Sequence, residues 1–246
     1  MSGSEGTRLV LLGAARVEKD GDRLPLTETL LRLLAYLALA GGAVRRSSLA
    51  GTLWPERDGQ RAMGNLRSAL WRIHRVERGL VDIGAGTLTL GSGVDVDARE
   101  VVVAARALLH PQGHEDVTAY LWLVDDARLL PDWDDHWVVF ERERQRQLRV
   151  HALEALAELL CARGDWGNAL EVALAAVRIE PLRESAHRAV IRVHLAEGNL
   201  VEARRQYESC VRLLQADLGV APGPATRQLV LSPTDRVAPP RFLRHG

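Results

Sequence analysis

The spacing of apolar residues changes several times along the first hundred positions. RLVLLG and AARVEK, at residues 8–13 and 14–19, are β-rich. Asp20-Gly21 signals a turn and RLPL resumes an alternating pattern, which predicts a small antiparallel sheet over residues 8–26. Leu30, Leu31, Leu34, Leu37 and Ala38 then recur at the helical period, with Thr27 as a cap and Gly41-Gly42 as the stop. A second helix is expected to open at Ser47 or Ser48, bury Leu49, Leu53 and Trp54, and end at Pro55. A third follows behind Asp58, with an apolar stripe of Ala62, Leu66, Ala69, Leu70, Ile73 and Val76. LVDIGAGTLTL reads as two short β-runs around Gly84-Ala85-Gly86, a hairpin. Sheet, three helices and hairpin make a helix-turn-helix with a wing.

From Val94 onward the pattern predicts almost unbroken helix. Residues 151–178 and 185–212 repeat with a period of 34, the identical pairs being Ala152/Ala186, Ala162/Ala196, Gly164/Gly198, Ala169/Ala203, Val177/Val211 and Arg178/Arg212. That is the length of a tetratricopeptide unit, in which small residues let paired helices approach and a glycine makes the turn between them. The fold class expected is therefore mixed: an N-terminal α+β winged helix-turn-helix at residues 8–92, then an all-α tetratricopeptide-like helical domain at 95–231. The last stretch, SPTDRVAPPRFLRHG at 232–246, has no periodicity and is expected to be a disordered tail.

Composition narrows the function. The 246 residues are 47% hydrophobic and 26% charged with zero formal net charge, an ordinary globular balance. No apolar run approaches a membrane span and MSGSEGTR lacks the features of a signal peptide, so a cytosolic location without membrane contact is expected. Residues before Arg8 are too few for a receiver domain, so a phosphorylated aspartate switch is not expected within this chain. Cys161 and Cys210 both fall in helical patterns and are expected to be small core residues. Lys19 is the only lysine among 32 basic residues; with the abundance of Ala, Gly, Leu and Val, this matches translation from a GC-rich genome. It also excludes a Walker phosphate loop, because Lys19 sits in VEKDGD. The neutral total hides a local excess: residues 45–78 hold eight arginines against Glu56, Asp58 and Glu77, a net +5. A confined basic segment of this kind is an electrostatic footprint for nucleic acid.

The third helix carries the chemistry. With its apolar stripe inward, Arg61, Asn65, Ser68, Arg72 and Arg75 share the outer face at spacings of three or four, flanked by Arg67, Trp71, His74 and Arg78. Arginine can bind guanine O6 and N7 bidentately, asparagine can read adenine, and arginines at the edge can pair with phosphate. A solvated basic face would explain the charge alone; the surrounding helix pair and hairpin favour DNA. Elsewhere, Asp132, Asp134, Asp135 and His136 in PDWDDHW read as helix capping with Trp133 and Trp137 packing one turn apart, rather than as a metal site. His110 and His114 flank Pro111 and Gly113 without a carboxylate or cysteine cluster. Glu141, Arg142, Glu143, Arg144 and Arg146 read as a solvated face with i,i+4 pairing. There is no Ser/His/Asp elbow or dinucleotide loop, so no enzyme, no cofactor and no metal is expected.

Two stretches resemble a known family. LLGAARVEKDGDRLPL and LLRLLAYLALAGGAVRRSSLAGTLWPERDGQRAMGNLRSALWRIHRV are similar to the OmpR-type winged helix of the Streptomyces antibiotic regulatory protein (SARP) family. LLPDWDDHWVVFERERQRQLRVHALEALAELL, RIEPLRESAHRAVIRVHLAEGN and LLQADLGVAP resemble that family's bacterial transcriptional activator domain. The resemblance implies a DNA-binding regulator, commonly an activator of secondary-metabolite clusters in actinomycetes, that binds direct repeats of double-stranded DNA as a homodimer, contacts RNA polymerase, and joins the nucleoid when bound. Carried over residue by residue, Asn65, Ser68 and Arg72 take base-facing places, while Arg46, Arg61, Arg67, His74 and Arg75 take phosphate-facing ones. Two departures stand out. His74 replaces an arginine usual in relatives and is the weaker phosphate ligand. The hairpin has no arginine, which puts the wing's minor-groove contact in doubt and predicts a smaller salt slope. The competing reading is an interaction adaptor, whose repeats bind a protein and whose winged helix does not bind DNA.

Overall fold

The computed structural model describes residues 6–111, 116–125 and 127–231. The chain packs as two compact units, Met1–Val103 with Ala127–Gln145, and Ala104–Asp126 with Arg146–Gly246. The first unit therefore takes a second visit of the chain.

In that unit β1 (Thr7–Val10), β2 (Arg16–Lys19) and β3 (Asp22–Arg23) form the expected antiparallel meander, turning at Asp20-Gly21 with both residues at positive φ. Helix α1 (Glu28–Ala40) ends at Gly41, whose φ of 66° is the left-handed cap that glycine adopts without strain. Thr27 occupies the N-cap but makes no side-chain cap bond. Two-residue β4 (Val44–Arg45) leads into α2 (Arg46–Leu53), then α3 (Gly59–Val76). The hairpin is β5 (Val81–Ile83) and β6 (Thr87–Leu90), and β4 joins it to give a sheet ordered β4-β6-β5.

The expectation of helix from Val94 is corrected. Val94–Val96 is a strand, β7, running parallel to β1 with Leu9 opposite Val96. Val94 and Val96 are buried and Asp95 is exposed, an alternation too short to stand out against the helix that follows. Helix α4 (Asp97–Leu109) begins with a buried carboxylate: Asp97 accepts the Leu11 and Leu12 amides at 2.8 and 3.0 Å, tying the end of β1 to the helix start.

Residues 127–145 complete the core of this unit. Gly13 donates to the Arg128 carbonyl at 2.7 Å and Leu130 to the Leu11 carbonyl at 2.9 Å. Trp137 packs edge-to-face against Trp133 and Tyr36, at ring separations of 6.4 and 5.1 Å. Trp133 and Trp137 of PDWDDHW are thus packing residues, and Asp135 is paired to Arg32. No cluster of metal-ligating side chains occurs among the described residues. The solvated-face reading of the next stretch fails at Arg142: its guanidinium is half-buried and donates to the carbonyls of Leu129, Leu130 and Trp133. Helix α5 (His136–Ala162) carries this segment into the second unit.

The second unit is helical: a 3₁₀ helix at Val117–Val124, the C-terminal part of α5, α6 (Trp166–Ile179), α7 (Glu184–Glu197), α8 (Leu200–Leu218) and α9 (Pro224–Leu231). The 34-residue repeat is structural. Gly164 and Gly198 close their turns at φ of 76° and 88°, and each identical pair has the same exposure in both copies: Ala152/Ala186 and Ala169/Ala203 are buried, Val177/Val211 half-buried, and Ala162/Ala196 and Arg178/Arg212 exposed. Buried His187 is satisfied on both sides, accepting from the Gln206 amide and donating to the Pro181 carbonyl, each at 2.8 Å. The fold is mixed, as the pattern predicted. His114 and the tail 232–246 lie outside the described residues.

Candidate nucleic-acid interface

Helix α3 is positioned by a narrow apolar stripe. Ala62, Leu66, Ala69 and Ile73 are buried, while Leu70 and Val76 at the stripe's edges are half-buried. Spacings of three and four residues keep these four on one side, so at about 100° per residue the polar positions turn outward. The helix start is fixed by Asp58, which accepts the Arg61 amide at 2.8 Å.

Ser68, Arg72, Arg75 and Arg61 are exposed in a row along one flank; Asn65 belongs to the same row but lies nearer the stripe and is half-buried. Arg67, Trp71 and His74 are exposed along the other flank, and Arg78 is exposed in the turn after the helix. Arg67, Arg72 and Arg75 form no ion pair among the described residues, whereas Arg61 reaches Asp58 at 3.4 Å. Arg75 stacks on the Trp71 ring, 5.0 Å from its centroid, which restrains a long side chain without neutralising it. Trp71 is 59% exposed, an unusual position for an indole unless it supports something. That stacking escaped the sequence reading, although the i,i+4 spacing of Trp71 and Arg75 is visible there.

Arg46 is the first residue of α2, and its backbone N–H donates to the Gly86 carbonyl at the hairpin tip, 3.1 Å away. Its side-chain Nε is buried without a hydrogen-bond partner among the described residues. At the other end of α3, Glu77 caps the helix and its carboxylate is held by Lys19 Nζ at 2.9 Å. Hydrogen bonding to Glu77 raises the Lys19 pKa above its ordinary value. The one acid at the C-terminal end of α3 is thereby paired outside the helix.

Comparison with known proteins gives the chain a family. The model of the bacterial transcriptional activator domain matches residues 90–231, more than half of the chain. The regulatory protein AfsR of Streptomyces coelicolor is 26% identical over 243 residues, covering 92% of this chain; the chain spans 24% of AfsR's length. Among solved structures, Mycobacterium tuberculosis EmbR in complex with a low-affinity phosphopeptide shares the fold, with a TM-score of 0.74 at 21% identity over 91% of this chain and 64% of that one. No helix among the described residues is long and apolar enough to cross a membrane. The chain belongs to the bacterial transcriptional activator domain family.

Proposed function

We propose that this protein is a transcriptional regulator of the SARP type that binds double-stranded DNA in a sequence-specific manner by laying α3 in the major groove. In this reading Asn65, Ser68 and Arg72 meet base edges, and Arg46, Arg61, Arg67, His74 and Arg75 hold phosphates. One observation carries it: α3 turns exposed arginines without ion-pair partners outward from a stripe of four buried residues. Uncommitted guanidinium groups on a helix of fixed orientation suit a polyanion, since no intramolecular pair must first be broken. Arg61 is the exception and would exchange Asp58 for a phosphate. The helical unit would mediate self-association on direct repeats and contact RNA polymerase, and the regulated genes would be a secondary-metabolite cluster, with a cytoplasmic, nucleoid-associated location following from the DNA. A gel shift of the full chain on promoter and random duplexes at two salt concentrations tests this. Retardation that falls steeply with salt is expected; no retardation at either salt would leave the adaptor reading.

A further inference from the structure

The hairpin is an awkward partner for DNA. Residues 79–93 contain no arginine or lysine, and their only charge is Asp82, whose carboxylate accepts the Ser92 amide at 3.3 Å. A wing with that composition brings no cation to a phosphate backbone. The fold adds one from elsewhere. Strand β4 pairs with β6 so that Arg45 stands opposite Thr87, the first residue after the tip, and the next amide, of Arg46, bonds to Gly86 within the tip. Strand alternation sends Val44, opposite buried Leu88, toward the core and Arg45 to the solvent face with Thr87 and Thr89. Arg45 is exposed there and has no ion-pair partner among the described residues. The tip beside it is small, Gly84-Ala85-Gly86, with Gly86 at a φ of 81°, so no bulky side chain keeps a sugar-phosphate strand away.

We propose that Arg45 is the wing's cation: it binds a DNA phosphate beside the hairpin tip, doing from β4 what the hairpin's own residues cannot. This rests on the DNA-binding reading of α3 and extends the contact surface to the hairpin.

The position allows an unusually clean test. Arg45 is the N-cap of α2 but makes no side-chain cap bond, and serine is among the best residues at an N-cap. Arg45→Ser therefore removes the charge while preserving or improving the helix start, and its melting temperature checks that the fold is kept. Full-length wild type, Arg45→Ser and Arg45→Lys are titrated, by fluorescence anisotropy over a series of salt concentrations, against a mixed-sequence duplex and a duplex enriched by wild type from a random library. The expected result is that Arg45→Ser weakens binding to both duplexes by the same factor and lowers the log–log salt slope by about one unit, with Arg45→Lys close to wild type. Wild-type binding with an unchanged slope in Arg45→Ser would overturn the proposal and leave the α3 reading standing. So would a loss confined to the enriched duplex, which would make Arg45 a base reader. Wild type that binds neither duplex would instead overturn the α3 reading, and this proposal with it. A lowered melting temperature in Arg45→Ser moves the decision to Arg45→Lys against Arg45→Gln, where loss of slope in the glutamine variant alone supports the charge.

Discussion

Arginine serves two purposes in this molecule, and α3 set against the helices of the second unit shows both. In the second unit arginines meet acids: Arg183 reaches Glu154 at 3.0 Å, Arg192 reaches Glu158 at 2.9 Å, Arg205 reaches Glu202 at 2.6 Å, and Arg146 pairs with Glu180. Most of these join one helix to another. On α3 Arg67, Arg72 and Arg75 are left without acids, Arg75 being held by stacking on Trp71, and only Arg61 reaches a carboxylate, that of Asp58. Net charge cannot distinguish the two, because both helices are rich in arginine. What differs is whether the fold supplies a carboxylate within reach, and where it does not, the charge remains available to a partner.

The largest effect expected from this contrast is on stability. Arg183 is mostly buried and holds Glu154 at 3.0 Å, Gln147 Oε1 at 2.9 Å and Ser185 Oγ at 2.8 Å, with Ser185 in turn donating to Glu154. Arg183→Ala leaves the mostly buried Glu154 carboxylate without its cation and should cost about 2–4 kcal/mol. Scanning calorimetry should show the lowered transition, while the salt slope of DNA binding stays at its wild-type value. An unchanged melting profile would mean that the network is worth no more than a surface pair.

Arg72 should behave in the opposite way. Arg72→Ala removes no intramolecular partner, so melting should not move, yet specific binding should weaken by about 1–3 kcal/mol with relaxed preference at one base position. Arg67→Ala should weaken all sequences alike and lower the salt slope by about one unit. Arg61→Ala should do so by less than Arg67→Ala, because Asp58 already competes for that guanidinium. Identical behaviour of Arg72 and Arg67 against a panel of mutated sites would show that the helix is rotated in the groove relative to the assignment.

The sequence made these roles partly legible. The stripe through Ala62, Leu66, Ala69 and Ile73 was readable because α3 is long enough to repeat its period, and the 34-residue repeat was readable because Gly164 and Gly198 mark the same left-handed turn twice. Burial of the cysteines was legible for Cys210, fully enclosed with its thiol pushed up to about 11 by burial, and less so for Cys161, which is half-buried. Strands β4 and β7 were not legible, because two or three residues show no period and owe their conformation to partners distant in the chain. The return of residues 127–145 to the first unit was hidden for the same reason: Arg142 looked like one charge in a row until the carbonyls of Leu129 and Trp133 came within its reach. Long-range pairing is also what gives Arg45 its place at the wing.

The smallest expected effect tests how α3 stays free of acids. Glu77 is the one carboxylate at its C-terminal end, close in sequence to Arg75 and Arg78, and the chain's only lysine holds it. If that pairing matters to DNA, the charges should form a closed cycle. Lys19→Met bares a negative charge beside the basic helix and should weaken binding slightly; Glu77→Gln bares a positive one and should strengthen it; the double variant restores neutrality and should match wild type. Melting temperature should barely change in any of them, since an exposed pair contributes little. Its pH dependence has a definite sign. The Lys19 pKa is raised in the folded chain by the bond to Glu77, so whatever stability the pair contributes is fully present below the lysine's ordinary value and is lost as pH rises through the raised one. The small melting difference between wild type and Lys19→Met should therefore stay constant across neutral pH and disappear only in strong alkali. A double variant that binds as weakly as Lys19→Met would break the cycle, making Lys19 itself a DNA contact and Glu77 its bystander.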